Sequence, residues 1–187
     1  MKAKKSERTK EKIIDTFYML ASNGELPAVA DICEQMDICV STFYCHFTGV
    51  KEILYLESEH LQSKLVEMNQ QIFPQRPYVM TKDKMTQIVR FAQANRRENL
   101  LLLRPDLKLP YREFLEQHVY ESVEAALSSV PAPKRRYAAH FISDGIIAAI
   151  NEWLYNQGIP LPDFVESVFN LVNVTIQTSI KLQQKLS

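Results

Sequence analysis

Glycine is scarce in this sequence, with four residues in 187. Because β-hairpins consume glycine in their turns, this scarcity argues against a large β-rich fold. It also argues against a glycine-rich loop that cradles phosphates, and no G-x-x-x-x-G-K-[ST], G-x-S-x-G or H-E-x-x-H motif occurs. The sequence therefore predicts no catalytic residues and a protein that is not an enzyme.

Long apolar runs and paired cysteines are missing as well. No run approaches the roughly 20 apolar residues that cross a bilayer, and a signal-peptide core is absent behind the polar first residues. The three cysteines, Cys33, Cys39 and Cys45, are odd in number, and their spacing of six does not fit the short pairs of structural zinc sites. We therefore expect a cytoplasmic protein with small buried thiols and without membrane contact, metal or cofactor.

Proline is common but confined to a few positions, and this distribution favours helices. Nine prolines leave long proline-free stretches, and proline is costly inside a helix but common at its edges. Apolar residues at spacings of three and four predict helices over residues 7–22, 29–35, 40–46, 50–73, 81–95, 96–103, 111–130, 133–157 and from 162. Asn23-Gly24 and Gly158 are predicted helix stops, and Thr81 is a predicted N-cap. The predicted fold class is all-α.

The net charge is zero, but the charge is unevenly distributed. Residues 1–12 carry six bases and two acids, a net charge of +4, whereas residues 13–54 carry six acids and one base, Lys51. A basic arm of this kind can bind the phosphates of DNA, and the alternative is a solvated terminus.

The most informative segment is residues 28–54. Two short helices joined by a tight turn form a helix-turn-helix, whose second helix can enter the major groove of DNA. In this sequence the second helix offers polar side chains, whereas Phe43 and Phe47, four residues apart, would attach it to the core.

At these residues the sequence resembles the TetR/AcrR family of bacterial transcriptional regulators. The resemblance rests on residues 29–33 at the start of the second helix, on residues 41–47 (STFYCHF) and on residues 50–54 (VKEIL) at the start of a long helix. The sequence departs from the family pattern at Asp37 in place of the usual turn glycine, at Cys39 in place of a serine, and at Val50 in place of a lysine.

The resemblance implies a homodimeric transcription regulator, with repression as its expected output and a DNA-binding domain over residues 1–50. A helical domain over residues 51–187 would then bind a small-molecule effector and dimerise, and the protein would bind a pseudo-palindromic double-stranded operator. The arm and the motif together give these candidate DNA contacts: Lys4, Lys5, Arg8, Lys10, Val40, Ser41, Thr42, Tyr44, Cys45, His46 and Lys51.

The expected effector pocket and dimer interface both lie in the second domain. Candidate pocket residues are Leu65, Met68, Phe91, Phe114 and His118. The last two long helices would form the interface through Phe141, Gly145, Ala148, Ala149, Trp153, Phe169, Val172 and Ile176.

Two other functions remain open at the level of sequence. The acidic balance of residues 13–54 and the displaced lysine favour an adaptor of the same fold that acts through a protein partner. A small-molecule binding protein without a genomic target is the third possibility.

Overall fold

A computed structural model describes residues 2–21, 24–74 and 80–184, with side chains described from residue 6 to residue 181 within these ranges. Over these ranges the chain forms nine helices and no strand, which confirms the predicted all-α class. The helices are α1 (Lys2–Ala21), α2 (Val29–Met36), α3 (Val40–Tyr44), α4 (Val50–Ile72), α5 (Lys82–Ala94), α6 (Arg96–Leu102), α7 (Pro110–Ala126), α8 (Ala132–Asn156) and α9 (Leu161–Gln184).

Several predicted helix ends were wrong. Helix α1 begins at Lys2 instead of residue 7, because the strong helix formers lysine, glutamate and arginine extend it. Helix α7 ends at Ala126 instead of residue 130, where the Leu127 amide is shared between two preceding carbonyls. Helix α8 is stopped by Gln157 in the left-handed conformation (φ 47°), one residue before the expected Gly158.

Other predicted features are confirmed. Helix α4 covers 23 residues from Val50, as expected. Thr81 caps α5, because its hydroxyl oxygen accepts a hydrogen bond from the Lys84 amide at 3.3 Å. Gly24 has the positive φ of 91° expected of a residue after a helix, whereas Asn23 lies outside the described residues.

The turn between α2 and α3 is made without glycine. Asp37 adopts the left-handed conformation (φ 50°), its amide donates to the Glu34 carbonyl, and the Ile38 amide donates to the Cys33 carbonyl at 3.0 Å. Aspartate is one of the few L-residues that visit this region at modest cost. The turn therefore has the backbone geometry of a helix stop although its usual glycine is absent.

One hydrophobic cluster continues from the first three helices into the rest of the chain. Its buried members include Ile13 and Phe17 of α1, Phe43 of α3, Leu65 of α4 and Leu102 of α6. A second cluster joins α5, α8 and α9, and a third joins α7, α8 and α9. The division at residue 50 stays a prediction, because α4 and α6 contribute to the same core as α1–α3.

No helix in the described ranges is both long enough and apolar enough to span a membrane.

Candidate nucleic-acid interface and ligand cavity

Helix α3 is attached to the core through one face. Phe43 is completely buried and Phe47 nearly so, and their ring centroids lie 5.8 Å apart. The helix ends at Tyr44 instead of the predicted residue 46, because the Cys45 amide is shared between the Ser41 and Thr42 carbonyls and the chain then turns Phe47 inward. The two phenylalanines therefore fix the orientation of α3 relative to α1 and α2.

The opposite face of α3 is open to solvent. Val40 and Tyr44, four residues apart, are 47% and 55% exposed, and Ser41 is exposed beside them. Thr42 and His46 are half-buried at the edge of this face. The Tyr44 ring meets the Phe43 ring edge-on at 5.6 Å, so that the core residue supports the exposed one.

The predicted burial of the cysteines was correct for Cys33 alone. Cys39 and Cys45 are exposed at the two ends of α3. Cys39 is the N-cap and Cys45 the C-cap of α3, and Phe43 occupies the buried side of this helix. The two cysteines therefore lie on its solvent side. Cys39 makes no side-chain cap, as expected for a residue that replaces serine.

The loop between α3 and α4 is held by a carboxylate. Glu52 accepts hydrogen bonds from the Thr48 amide at 2.5 Å and from the Thr48 hydroxyl at 2.7 Å. These bonds hold the pKa of Glu52 below its usual value. One of the acids near the candidate interface is therefore engaged in fixing α3 to α4.

The candidate phosphate-binding residues are only partly grouped. Arg8 and Lys51 are exposed, and Lys10 is half-buried with its Nζ 5.7 Å from the centre of the Phe47 ring. Lys10 therefore lies close to Phe47, three residues after the end of α3. The predicted contacts of Lys4 and Lys5 fall on side chains outside the described residues.

A cavity of about 140 Å³ lies among helices α4 to α9. Its lining includes four of the five predicted pocket residues, Leu65, Met68, Phe91 and His118. Phe114 does not line it, and its ring stacks on that of His118 with centroids 5.7 Å apart. The lining also includes residues of α6, α8 and α9 and Leu103 just after α6. Among these helical residues are Asn99, Ile147, Asn151 and Ile176, which periodicity alone did not assign to a pocket.

Helix α6 connects this cavity to α1. Asn99 lines the cavity, whereas Arg97 contacts α1: its Nη1 lies 2.9 Å from Asp15 and its guanidinium lies 4.8 Å from the Tyr18 ring centre. Just beyond the helix, Arg104 donates to the Gly24 carbonyl. Helix α6 therefore contacts α1 on one side and lines the cavity on the other.

Helices α8 and α9 leave an apolar face that no other described residue covers. Phe141 of α8 is 74% exposed and Leu171 of α9 is 69% exposed, and they line an open groove with Gly145 and Ala148. Ala149 and Val172 are half-buried and also line this groove, whereas Phe169 and Ile176 are half-buried and do not line it. A methyl group added at Gly145 would meet no atom of a neighbouring helix of this chain within 4 Å.

Trp153 does not belong to this face. It is buried, stacks on Phe164 at 5.0 Å, and donates its indole N–H to the Ile159 carbonyl at 2.9 Å. Its role in the structure is to fix the α8–α9 connection, and we leave it out of the candidate interface.

Comparison with known proteins supports the fold. No family model matches the sequence, and no curated protein matches it. The fatty acid degradation regulator FadR from Bacillus halodurans is similar in structure, with a TM-score of 0.60 and 16% identity over 87% of this chain and 93% of that one. The dihydroxyacetone kinase operon activator DhaS is similar with a TM-score of 0.50 and 17% identity over 91% of this chain and 97% of that one. The chain therefore has the all-helical fold of these two regulators.

Proposed function

We propose that this protein is a homodimeric, TetR-like transcription regulator whose binding to a double-stranded operator responds to a small molecule. The observation that carries the proposal is the two-sided character of α3. One side is buried through Phe43 and Phe47, and the other presents Val40, Ser41 and Tyr44 to solvent. A short helix held in this way fits the major groove, which is about 12 Å wide.

The exposed face of α3 has few charges, so the proposal assigns phosphate binding to residues around it. Arg8 and Lys51 are exposed and Lys10 lies beside Phe47. Lys4 and Lys5 add two further positive charges to the same arm. Contacts of lysine and arginine with phosphate supply the sequence-independent part of DNA affinity, and those of α3 would select the sequence.

A dimer is favoured by the apolar face of α8 and α9. Large exposed side chains such as Phe141 and Leu171 are rarely left together on the surface of a monomer. Gly145 lies between them in the middle of a helix, where glycine is unfavourable by about 0.5–1 kcal/mol relative to alanine. A two-fold mate would cover this face and would place two copies of α3 on one side of the duplex.

The two structural neighbours also favour this function, since one is described as a regulator and the other as an operon activator. For this chain we expect repression as the output, in which the bound dimer blocks transcription. A non-enzymatic role is part of the same proposal.

The proposal is tested by selecting duplexes from a random double-stranded pool with the full-length protein. We expect enrichment of an inverted repeat whose half-sites are about one helical turn apart. A protein that carries Val40→Glu and Tyr44→Glu is the matched control, because both changes replace exposed side chains and leave Phe43 in place. A pool that shows no enrichment, or equal enrichment by the control, would contradict DNA recognition through α3.

The adaptor function is the second candidate, and one observation favours it. Acids outnumber bases six to one over residues 13–54, which weakens attraction to phosphate. The structure offsets part of this excess, because Arg97 pairs with Asp15. An adaptor would give no enriched duplex in the selection.

A further inference from the structure

Within the part of the chain that the structure describes, the wall of the cavity contains two buried polar atoms without a hydrogen-bond partner. They are Nε2 of His118 on α7 and Oδ1 of Asn151 on α8. A buried polar group without a partner costs free energy, so such groups are uncommon and need an explanation. Two of them in the wall of one cavity could pair with a polar group of a molecule bound there.

Three other polar residues of the wall, Asn99, Tyr111 and Ser122, are hydrogen-bonded within the chain. Asn99 donates to the Ala92 and Asn95 carbonyls and accepts the hydroxyl hydrogen of Tyr111 at 2.9 Å. The Ser122 hydroxyl donates to the carbonyl of His118. These bonds distinguish structural polar groups from the two that remain available.

The rest of the wall sets the size and charge of the occupant. Its described residues are mainly leucine, isoleucine, valine, methionine and phenylalanine, and none of them is charged. A carboxylate or an ammonium group would therefore enter this wall without a counter-ion, which is strongly unfavourable. A volume of about 140 Å³ is close to the ~150 Å³ cavity that holds one benzene molecule in another protein.

The state of His118 agrees with an uncharged site. Burial lowers the pKa of this histidine below its ordinary value, so that the imidazole is neutral near pH 7. Neutral imidazole presents Nε2 as a donor or as an acceptor, depending on which nitrogen carries the hydrogen. Asn151 Oδ1 is an acceptor. A hydroxyl or N–H group on the ligand can therefore donate to Asn151, and a ligand hydroxyl can also pair with His118.

We propose that the cavity binds a small, uncharged, mainly apolar molecule about the size of one six-membered ring, which bears a hydroxyl group that pairs with Asn151 and His118 or an N–H group that pairs with Asn151. This inference rests on the proposed function in that the cavity is taken as the effector site. It adds the chemical class of the effector.

Phenol, toluene and benzoate are suitable probes, because they share one ring and differ in the polar group. We expect ligand-observed NMR on the full-length protein to show binding of phenol and no binding of benzoate near pH 7. Phenol is small, and its dissociation constant is expected near about 1 mM. Benzoate binding as tight as that of phenol, or the absence of phenol binding, would overturn the proposed ligand class.

Variants show whether the two unpaired atoms select the hydroxyl. Asn151→Leu and His118→Phe remove them, and the second keeps a ring that can stack on Phe114. Each should shift the ratio of phenol to toluene affinity roughly threefold to tenfold toward toluene. Ser122→Ala is the control and should leave the ratio unchanged, because its hydroxyl is already bonded to the chain. An unchanged ratio in both cavity variants would overturn the role of these atoms.

These measurements contain no DNA, so they separate this inference from the proposed function. If phenol fails to bind while the protein still selects an operator, the ligand class is wrong and the regulator proposal stands. If phenol binds and no duplex is enriched, the ligand class stands and the regulator proposal fails.

Discussion

Tyr44 offers the sharpest test of the candidate DNA interface, because its role in folding and its role in binding can be separated. Its side chain is 55% exposed, and its main packing partner is the Phe43 ring at 5.6 Å. An aromatic pair adds about 0.5–1.5 kcal/mol. Since about half of the side chain is in water, we expect Tyr44→Ala to destabilise the fold by about 1 kcal/mol, or roughly 2–4 °C in Tm.

The effect of Tyr44→Ala on DNA binding should be larger. A side chain that contacts a base edge contributes about 1–3 kcal/mol, so affinity should fall roughly fivefold to 150-fold. Fluorescence anisotropy with the selected duplex measures the affinity, and circular dichroism measures the Tm. Tyr44→Phe, titrated in parallel, divides the loss between the hydroxyl and the ring.

Tyr55→Ala is the matched control for Tyr44→Ala. Tyr55 is 50% exposed on α4, outside the helix-turn-helix, and its replacement should cost a similar packing energy and leave the affinity for DNA unchanged. Equal affinities of wild type and Tyr44→Ala would refute the assignment. So would an equal loss of affinity in Tyr55→Ala, because the effect would then not depend on α3.

Three further predictions concern the arm, the interface and acid stability. Replacing Lys4 and Lys5 with alanine should make the plot of log affinity against log salt less steep, by about 0.9 for each phosphate that the arm no longer neutralises. An unchanged slope in this salt titration would exclude the arm from binding. Gly145→Arg should split the dimer in sedimentation equilibrium without unfolding the chain, because a side chain at this position meets open space. Gln87→Arg, on the exposed side of α5, is the control and should leave the dimer intact. A monomeric wild type would contradict the interface. Because the pKa of His118 is lowered in the folded chain, its contribution to stability is complete above its ordinary value of 6.5 and is lost as pH falls below that value. The difference in Tm between about pH 7 and about pH 5 should therefore be smaller in His118→Phe, and equal differences would show that His118 is not responsible.

Most of the fold could be predicted from the sequence because apolar periodicity survives where a helix has one buried side. Helix α4 is an example, since Leu61 and Leu65 share a buried face and its 23-residue length was correct. Helix ends were harder to predict, because several residue types besides glycine can adopt the left-handed backbone conformation that ends a helix. Gln157 takes the left-handed conformation although glycine follows it, and Asp37 takes it where no glycine is available.

The candidate interface was easier to predict than the cavity. A recognition helix is a continuous segment, so Phe43, Phe47 and Tyr44 are close in sequence and their spacing distinguishes buried from exposed positions. The cavity is built from several helices, and its unpaired atoms belong to His118 and Asn151, 33 residues apart. Asn151 gave no local signal, because a single asparagine on an apolar helix is also common in a satisfied core. Trp153 was placed in the dimer interface for a related reason. Periodicity shows that a residue is buried, but it does not show whether the same chain or a partner buries it.

The position of α6 has a thermodynamic consequence. If effector binding changes operator affinity through the contacts of Arg97 with Asp15 and Tyr18, the operator must change effector affinity by the same factor and in the same direction, because the two binding free energies share one coupling term. The factor is typically about 5-fold to 150-fold. Under the proposed function, operator DNA would itself modulate the cavity, and a cell with many operator sites would need more effector to release the protein than a measurement without DNA indicates.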